Sequence, residues 1–436
     1  MLSSGASRFA LVGPGLSSPR TVPYRGLGVP LWETAGAAPT LDLNFAENRT
    51  LLDSVTGRNL ITFTRASSGT YVGSDGLIKT AAENVPRFDH NPLTGECLGL
   101  LVEEQRTNLL QQSGWAGATS GSPGAAPTSW TAEFGTNTVT TVLASSFDST
   151  ANAVKFDCDS GERVMFRQAI NVTNGVQYAL SAYLEAVSGS IGDGLLVTGG
   201  TATVTQNTFV TNPSSPGRYT ILFTATGTGT INVRVGVGTS VAVGATVSAT
   251  WSHPQLEAGA FPTSYIPTTT AAATRSADVV SIGGSAFGGW YSAAAATLYA
   301  DVIPLMATGI AGQRSIAALS DGTYANSVSI SKGAASSTYR GDIFNSGTSQ
   351  AGIAGSSYAV GQSSRLALGF ATNDANLADT GQLGLQDNAV NLPAGLNRLD
   401  LRDQTGASLG HPSVILKRLT YWPQRLSNTT LQSITA

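Results

Sequence analysis

One stretch of the chain has a strict two-residue hydrophobic period, and it constrains the fold more than any other pattern. From Ile231 to Val237, a branched apolar residue occupies every second position, and polar or small residues stand between them. Successive side chains of a β-strand point to opposite faces of its sheet, so this pattern predicts a strand with one buried face. Residues 164–167 and 180–186 repeat it more weakly. The chain is therefore expected to be built from β-sheets.

Composition favours the same fold class. The chain has 436 residues, which is long enough for two or three domains. Only 12% of the residues are charged, about half the usual share of roughly 25%, while 41% are hydrophobic and 50 are glycine. A disordered chain combines low hydrophobicity with high net charge, and this one has a net charge of -3. We expect a folded all-β protein of sandwich domains with short turns.

Charge and cysteine content exclude several functional classes. The 24 basic residues are scattered and the net charge is negative, so nucleic-acid binding is not expected. The 22 uncharged residues between Asp278 and Asp301 are interrupted by Gly and Ser and are too polar to insert into a membrane. Cys97 and Cys158 lie 61 positions apart without CxxC spacing, which argues against zinc. We expect buried thiols, with a disulfide as the open alternative.

Three sequence blocks resemble a known module. They are TFTRASSGTY at 62–71, PRFDH at 86–90 and GLLVEEQRTN at 99–108. Together they resemble a module of tail-fibre, spike and head-fibre proteins of tailed bacteriophages or phage-like particles. The resemblance continues in QLEAGAFPTSYIP at 255–267, an ending similar to that of carbohydrate-binding-like sandwiches in phage proteins, and in TRSADV at 274–279.

The last block of the chain has a resemblance of its own. The turn ALSDG at 318–322 and the ending LKRLTYWPQRLS at 416–427 resemble concanavalin A-like or laminin-G-like jelly rolls. Ser427 is a suitable N-cap for a short final helix reaching Leu431. With the turn and strand patterns, these resemblances predict five regions: an extended attachment arm (1–40), a small β module (41–111), a carbohydrate-binding-like sandwich (112–270), a linker (271–285), and a second jelly-roll sandwich with the short C-terminal helix (286–436).

The N-terminal arm is rich in proline but carries many large apolar side chains. Proline removes amide donors and fixes φ, so no regular helix is expected there. The apolar side chains predict an anchor that packs on a neighbouring subunit, and an arm folded back on its own domain is the alternative. The virion-attachment candidates are Phe9, Leu11, Val12, Tyr24, Leu31 and Trp32.

No constellation of catalytic residues stands out, and we expect no enzymatic activity. The chain has three histidines and no Gly-x-Ser-x-Gly elbow leading into a helix pattern. Asp157, Asp159 and Glu162 cluster in sequence, and carboxylates are ligands for calcium, so they are weak calcium candidates. The alternative is a solvated turn. No other cofactor is expected.

Aromatic residues in Gly- and Ser-rich surroundings are candidates for contacts with sugars. The apolar C–H face of a sugar stacks on aromatic rings, and nearby polar groups bind its hydroxyls. The alternative for each ring is packing in the core or between subunits. The glycan-binding candidates are Trp115, Trp130, Trp290, Tyr291 and Tyr324.

The resemblance to phage proteins implies a setting and partners. It predicts a fibre, spike or tail-tip component on the exterior of a virion, assembled in the host cytoplasm with other virion proteins and contacting surface polysaccharide of the host. A homo-oligomer is expected, and the resemblance favours a trimer. The first alternative is an architectural decoration, cement or connector protein of the capsid or tail, and a weaker one is a polysaccharide depolymerase.

Overall fold

The computed structural model describes residues 30–134, 138–159, 163–204, 208–238, 246–334, 337–401 and 411–436. Strands make up about half of the chain and helices about 6%, and the sheets are antiparallel. This confirms the all-β fold class predicted from the two-residue period and the composition. The sheets form two sandwiches, which differ in how the chain supplies them.

The elements fall into three consecutive pieces. The first piece contains α1 (Leu31–Ala35), β1 (Leu41–Asn44), α2 (Phe45–Asn48), β2 (Thr62–Thr64), β3 (Gly69–Val72), β4 (Ile78–Ala81), β5 (Phe88–His90) and β6 (Cys97–Val102). The middle piece contains β7 (Arg106–Asn108), β8 (Thr131–Phe134), β9 (Val139–Ala144), β10 (Asn152–Cys158), β11 (Val164–Val172), β12 (Gln177–Ser188), β13 (Asp193–Gly199), β14 (Thr208–Thr211), β15 (Gly217–Thr224), β16 (Gly229–Val237), β17 (Val247–Ala258) and β18 (Ala273–Arg275). The last piece contains β19 (Val279–Gly283), α3 (Ser285–Gly288), β20 (Ala295–Pro304), β21 (Arg314–Ser320), β22 (Ser327–Lys332), β23 (Thr338–Asn345), β24 (Thr348–Ser357), β25 (Ser364–Ala371), β26 (Asp374–Asp379), β27 (Gln382–Leu383), β28 (Arg398–Asp400), β29 (Val414–Trp422) and α4 (Asn428–Thr435).

The middle piece forms one sandwich, which we call the inserted sandwich. In the described residues its sheets run β15-β12-β17-β10-β9 and β14-β13-β16-β11-β8. The period-two stretch is β16, and Ile231, Val233, Val235 and Val237 are all fully buried between the sheets, as predicted. In β12, Leu180, Ala182 and Leu184 are fully buried but Ala186 is exposed, and the register with β17 shifts between Leu184 and Ala186.

The first and last pieces together form the second sandwich, which we call the outer sandwich. Within the described ranges, one sheet has eight strands, β27-β26-β25-β20-β29-β6-β5 with β1 also paired to β29, and the other runs β2-β19-β28-β21-β22-β23-β24. Leu41 of β1 lies opposite Tyr421, and Phe63 of β2 lies opposite Val280. Leucines and aromatic residues from both pieces share one buried core.

These pairings correct two of the predicted boundaries. The stretch 41–111 is not a separate β module, because its strands β1, β2, β5 and β6 complete the sheets of the outer sandwich. The stretch 271–285 is not a free linker, because β18 pairs with β7 and β19 lies inside a sheet. Short-range turn patterns could not reveal either point, because the partner strands are distant in sequence.

The chain enters and leaves the inserted sandwich through two neighbouring strands. Asn108 of β7 lies opposite Ala273 of β18, and Arg106 lies opposite Arg275. The backbone of Gln112 also bonds to Thr269, with the amide nitrogen 2.6 Å from the carbonyl oxygen. The two connections to the outer sandwich therefore lie side by side.

The arm and the inserted sandwich lie at opposite ends of β29. The Trp422 indole donates to the carbonyl of Ala37 at 2.9 Å, which places the arm at the C-terminal end of the strand. Leu101 of β6, which leads into the inserted sandwich, lies opposite Ile415 near the other end. A strand of nine residues is about 30 Å long at roughly 3.3 Å per residue. The outer sandwich therefore has an arm end and an insertion end.

The C-terminal end of the arm folds back on its own domain. This was the alternative to the predicted anchor on a neighbouring subunit. Contrary to the prediction from proline content, Leu31–Ala35 form a helical turn with Pro30 at its N-cap, where no amide donor is required. Ala35 is buried in a cluster with Leu431, while Trp32 stays 41% exposed near Arg418. Phe9, Leu11, Val12 and Tyr24 lie outside the described residues.

The predicted final helix is confirmed and is longer than expected. Ser427 accepts a hydrogen bond from the amide of Thr430 at 3.1 Å, and the helix reaches Thr435. Its buried side, with Leu431 and Ile434, packs against the outer sandwich. No helix among the described residues is long and apolar enough to cross a membrane.

Candidate functional site

The sequence blocks that resemble the phage module meet in one buried charge cluster, which we call the junction network. Arg65 comes from the first block, Arg87 from the second and Glu103 from the third, while Arg275 and Asp278 come from the TRSADV stretch. All five side chains are essentially inaccessible to solvent. Buried charges persist only when they are paired and hydrogen-bonded. Each block therefore supplies charged residues that this junction requires.

Each charge in the network has a partner of opposite sign. Arg87 donates to Glu103 Oε2 at 2.8 Å and also pairs with Asp278. Arg65 donates to Asp278 Oδ1 at 3.1 Å, and Arg275 Nη1 lies 2.9 Å from Glu103 Oε2. Burial alone would raise the pKa of Glu103, but Arg275 and Arg87 lower it to about 2. The carboxylate is therefore ionised and fully engaged in holding its neighbours.

The network continues into the inserted sandwich. Ser264 donates to Glu103 through its amide at 2.8 Å and through its hydroxyl at 2.7 Å. Close by, the buried Glu257 accepts from the amide of Thr263 at 2.9 Å and from Gln255 at 2.7 Å. The QLE…TSYIP ending is therefore one part of the inserted sandwich that contacts the outer one.

A second set of charges lies beside the connecting strands. Arg106 pairs with Glu104, and Arg314 of the outer sandwich donates to Glu104 at 2.7 Å. The guanidinium of Arg106 lies over the Phe261 ring, 5.0 Å from its centroid. A Cβ at Gly259 would lie 1.8 Å from Arg106 Nη1, so only glycine leaves room for this contact. The polar block at 103–108 is thus a contact between the two sandwiches.

A cleft of about 420 Å³ opens next to the network at the insertion end of the outer sandwich. Both sandwiches line it, together with the hairpin β3–β4. From the outer sandwich and the hairpin come Thr70, Tyr71, Val72, Ile78, Asp89, Leu101, Glu103, Leu305, Ala307 and Val360, and from the inserted sandwich and the segment that follows it come Tyr183, Arg218, Leu222, Ala260, Phe261, Pro262, Thr263, Ser264 and Tyr265.

The walls of the cleft combine apolar surface with two polar groups of opposite charge. Leu222 is 41% exposed and Val360 is 48% exposed, so both present apolar surface to the solvent. Arg218 lies over the ring of Tyr183, 5.5 Å from the ring centroid. Asp89 accepts a hydrogen bond from the amide of Val72 at 2.6 Å. The arrangement can hold a small ligand that has both an apolar face and hydroxyl groups.

Of the two carboxyl groups in the lining, Asp89 has a raised pKa and Glu103 a lowered one. Burial raises the pKa of Asp89 to about 6 from an ordinary value of 3.8, and the charge of Glu103 adds to the increase, while the hydrogen bond from Val72 and the charge of Arg87 oppose it. A carboxylate with a raised pKa in a cleft is a recognised mark of a functional site. At neutral pH most of this carboxyl is ionised.

The structure does not bring the five predicted glycan-binding residues together. Trp115 and Trp130 lie in the core of the inserted sandwich with ring centroids 4.8 Å apart, and they are 0% and 5% exposed. Trp290 is 4% exposed in the core of the outer sandwich. These three tryptophans are corrected from candidate sugar contacts to core residues, because their rings have no accessible face. The glycine-rich sequence around these tryptophans did not indicate that the folded protein buries their side chains.

The two predicted tyrosines are half-buried and lie outside the cleft. Tyr291 packs on Phe287 with centroids 4.6 Å apart. Tyr324 packs on Phe344 at 4.2 Å and donates to Gln313 at 3.2 Å, and burial raises the pKa of Tyr324 to about 12. Both rings are therefore occupied by neighbours in the outer sandwich.

The two calcium candidates that the structure describes belong to no metal-binding group. Asp157 pairs with Lys155 on the same strand at 2.7 Å, Asp159 is exposed, and Glu162 lies outside the described residues. No group of three or more His, Cys, Asp or Glu residues in the described ranges could hold a metal ion. No disulfide joins Cys97 and Cys158, which are both buried, in agreement with the sequence-based expectation.

Sequence reasoning missed the residues that line the cleft. Tyr71 and Asp89 stand inside the first two resembling blocks, so that position was a signal that could have singled them out. Tyr183, Arg218, Leu222 and Val360 carried no comparable signal, because they come from separate strands and loops that only the fold brings together.

No family model and no curated protein matches the chain. Among solved structures, it is similar to the receptor-binding domain of botulinum neurotoxin type G, with 11% identity and a TM-score of 0.27 over 35% of this chain and 38% of that chain. It is also similar to a Trypanosoma rangeli sialidase bound to difluorosialic acid, with 11% identity and a TM-score of 0.27 over 68% of this chain and 61% of that chain.

A third similar structure is the tandem CBM22 domain of Paenibacillus barcinonensis Xyn10C, with 12% identity and a TM-score of 0.25 over 72% of this chain and 97% of that chain. The chain spans 38% and 40% of the length of the two receptor-binding domains it matches. At these TM-scores the similarities carry no argument about the function of this chain.

Proposed function

We propose that the chain is a structural protein of a tailed-phage or phage-like particle, a fibre, spike or tail-tip component that contacts glycans on the host surface. The proposal starts from the three resembling blocks. The observation that carries it is the polarity of the outer sandwich. Its arm end, where Ala37 contacts Trp422, faces away from the insertion end, which holds the inserted sandwich and the cleft. Attachment to the particle and contact with the host then occur at opposite ends of one protein.

The junction network suits this role. A protein that connects a particle to a cell transmits force between its two ends, and a buried, fully paired charge network resists relative movement of the two sandwiches. Glu103 alone holds Arg87 of the first piece, Arg275 of β18 and Ser264 at the end of the inserted sandwich. The particle-facing partners would be other virion proteins, and the proposed assembly is a trimer on the exterior of the virion.

The experiment compares particles with and without this chain. We expect particles lacking it to look intact by electron microscopy but to adsorb to host cells at least about ten times more slowly. Complementation with the full chain should restore adsorption, and complementation with residues 41–436 should not. Sedimentation should give three times the chain mass of 44.6 kDa. Unchanged adsorption by the deleted particles would overturn the proposed contact with the host.

The second candidate is an architectural protein of the capsid or tail without a ligand. Trp32, 41% exposed at the arm end, favours it, because an exposed tryptophan beside an attachment arm suits burial against a neighbouring subunit. Particles that disassemble when the chain is deleted would support this candidate. A reconstruction with both sandwiches enclosed by other subunits would establish it.

A further inference from the structure

We propose that the cleft between the two sandwiches binds an uncharged sugar ring, with Asp89 and Arg218 binding its hydroxyl groups and Tyr71, Tyr183, Leu222 and Val360 contacting its apolar face. This inference rests on the proposed contact with host glycans and names the place where that contact is made. It also replaces the tryptophan candidates predicted from sequence, which the fold buries.

The dimensions of the cleft suit a small ligand. Its volume of about 420 Å³ lies within the range of roughly 300–1,000 Å³ that is typical of small-molecule sites. Sites of this kind occur preferentially where two domains meet. The cleft is formed where the inserted sandwich faces the outer one, and the junction network beside it fixes the relative position of the walls.

The apolar lining remains accessible although the surrounding residues are well packed. Leu222 and Val360 come from different sandwiches and are among the few large aliphatic side chains with more than 40% exposure in the described part of the chain. Tyr71 and Tyr183, also from different sandwiches, are half-buried and contribute ring surface. An apolar patch at the rim of a cleft that also offers polar groups matches the two-sided chemistry of a sugar ring.

The polar groups supply one acceptor and one donor. Arg218 donates to the hydroxyl of Ser181 at 2.9 Å, and its Nε is buried without a hydrogen-bond partner among the described residues. Stacking on Tyr183 fixes the plane of the guanidinium. Asp89 is positioned by the Val72 amide. A sugar hydroxyl both donates and accepts, so the acceptor and the donor in this lining can each bind a hydroxyl group.

The charge balance favours an uncharged ligand. Asp89 and Arg218 have opposite charges, and the third charged residue in the lining, Glu103, is neutralised by Arg87 and Arg275. A carboxylated sugar would add a negative charge to a half-buried lining that already holds the carboxyl groups of Asp89 and Glu103, at a cost in desolvation and charge repulsion. Neutral hexoses and N-acetylhexosamines avoid this cost.

The titration of Asp89 supports the assignment. A carboxyl group whose pKa is raised by burial destabilises the folded protein at neutral pH, and an asparagine in its place would remove that penalty. Groups that reduce stability in this way are concentrated at functional sites. Asp75, in the turn of the neighbouring hairpin, is exposed and paired with Lys79, and so it provides a matched control carboxylate.

Binding is measured on the purified full chain by ligand-observed NMR and calorimetry. The probes are D-glucose, D-galactose, D-mannose and N-acetyl-D-glucosamine, with D-glucuronic acid and N-acetylneuraminic acid as charged comparators. We expect at least one neutral sugar to bind with a Kd of about 1 mM, the weak affinity expected of a single ring. We expect Asp89→Asn and Leu222→Ala to weaken it about tenfold, and Asp75→Asn and Leu385→Ala to leave it unchanged.

The outcomes separate this inference from the proposed function. No neutral sugar binding, a preference for the charged sugars, or equal binding by Asp89→Asn and wild type would overturn the cleft assignment. Particles carrying Asp89→Asn provide the second test. If they adsorb normally while particles lacking the chain do not, the cleft assignment fails and the contact with the host stands. If neither change affects adsorption, the proposed function fails as well.

Discussion

The inserted and outer sandwiches have the same layered architecture but are encoded in opposite ways. The inserted sandwich uses a continuous stretch of about 160 residues, and each of its strands pairs within that stretch. The outer sandwich joins two pieces of chain, so that Leu41 lies opposite Tyr421, 380 positions away. Pairing over such distances requires the intervening chain to be closed into a loop before the contact forms. Local sequence patterns therefore predict the extent of the inserted sandwich but not the strand pairing of the outer sandwich.

This difference explains where the buried charges are. The inserted sandwich has a core of aliphatic and aromatic residues, while the junction that unites the two pieces of the outer sandwich holds Arg65, Arg87, Arg275, Glu103 and Asp278. Apolar contacts tolerate many arrangements, whereas a buried charge is satisfied only by its own partner. We infer that the network specifies which segments meet.

The largest difference between the two sandwiches is expected when each is expressed alone. Residues 109–270 should fold, with a cooperative thermal transition and sharp NMR signals. Residues 286–436 should not, because they lack the paired strands β1, β2, β5, β6 and β19. Circular dichroism and proton–nitrogen correlation spectra measure both. A cooperative transition in the isolated 286–436 segment would show that the outer sandwich folds without the first piece.

The next largest effect is expected from Glu103→Gln. Removing one member of a buried ion network leaves Arg275 without its ion-pair partner and Arg87 with Asp278 alone, which should cost about 3–5 kcal/mol of stability. Because Ser264 also loses an acceptor, the inserted sandwich should unfold independently of the outer one. Scanning calorimetry should then show two transitions in place of one.

The matched control for Glu103→Gln is Glu83→Gln, which changes an exposed glutamate in the same piece of chain. It should leave the calorimetric profile unchanged. Equal effects of the two substitutions would mean that the network does not hold the sandwiches together.

A smaller effect, with a defined pH dependence, is expected from Asp89→Asn. The folded-state pKa of about 6 lies above the ordinary value of 3.8, so the folded protein retains a proton that the unfolded chain has lost. Stability of the wild type should therefore fall as pH rises from 4 to 6. The substitution should stabilise the protein by about 1–3 kcal/mol at pH 7.5 and have no such effect at pH 4. Thermal melts of both proteins and of Asp75→Asn across this range check the sign.

The smallest effect is expected from Ser427→Ala. The serine hydroxyl satisfies the amide of Thr430 at the start of α4, and loss of such a cap costs about 1 kcal/mol. Hydrogen exchange should accelerate in α4, which packs on the outer sandwich, and should not change in the inserted one. Ser433→Ala, in the exposed part of the same helix, is the control and should leave exchange in the first turn unaltered.

The sequence allowed the fold class, the strand at β16 and the cap at Ser427 to be predicted, because each depends on residues that are close in the chain. The separation of 41–111 as its own module was wrong because sheet membership depends on partners hundreds of positions away. Resemblance located the blocks but did not reveal that their arginines and carboxylates meet.

The candidate site was less predictable than the fold. Trp115 and Trp130 were proposed because loop-like residues surround them, yet their size makes them efficient core residues, and the sandwich buries both. The cleft depends on the relative placement of two domains, which no local pattern records. Asp89 illustrates this limit, since its raised pKa arises from burial beneath neighbours and not from adjacent residues.

The paired strands β7 and β18 also determine how this protein can diversify. Asn108 and Ala273 lie opposite each other in an antiparallel ladder, where Cα atoms are roughly 5 Å apart. A segment whose two ends are this close can be exchanged for another domain, or for a short turn, without separating any strands of the outer sandwich. Recombination at these two positions would attach a different domain to an unchanged outer sandwich.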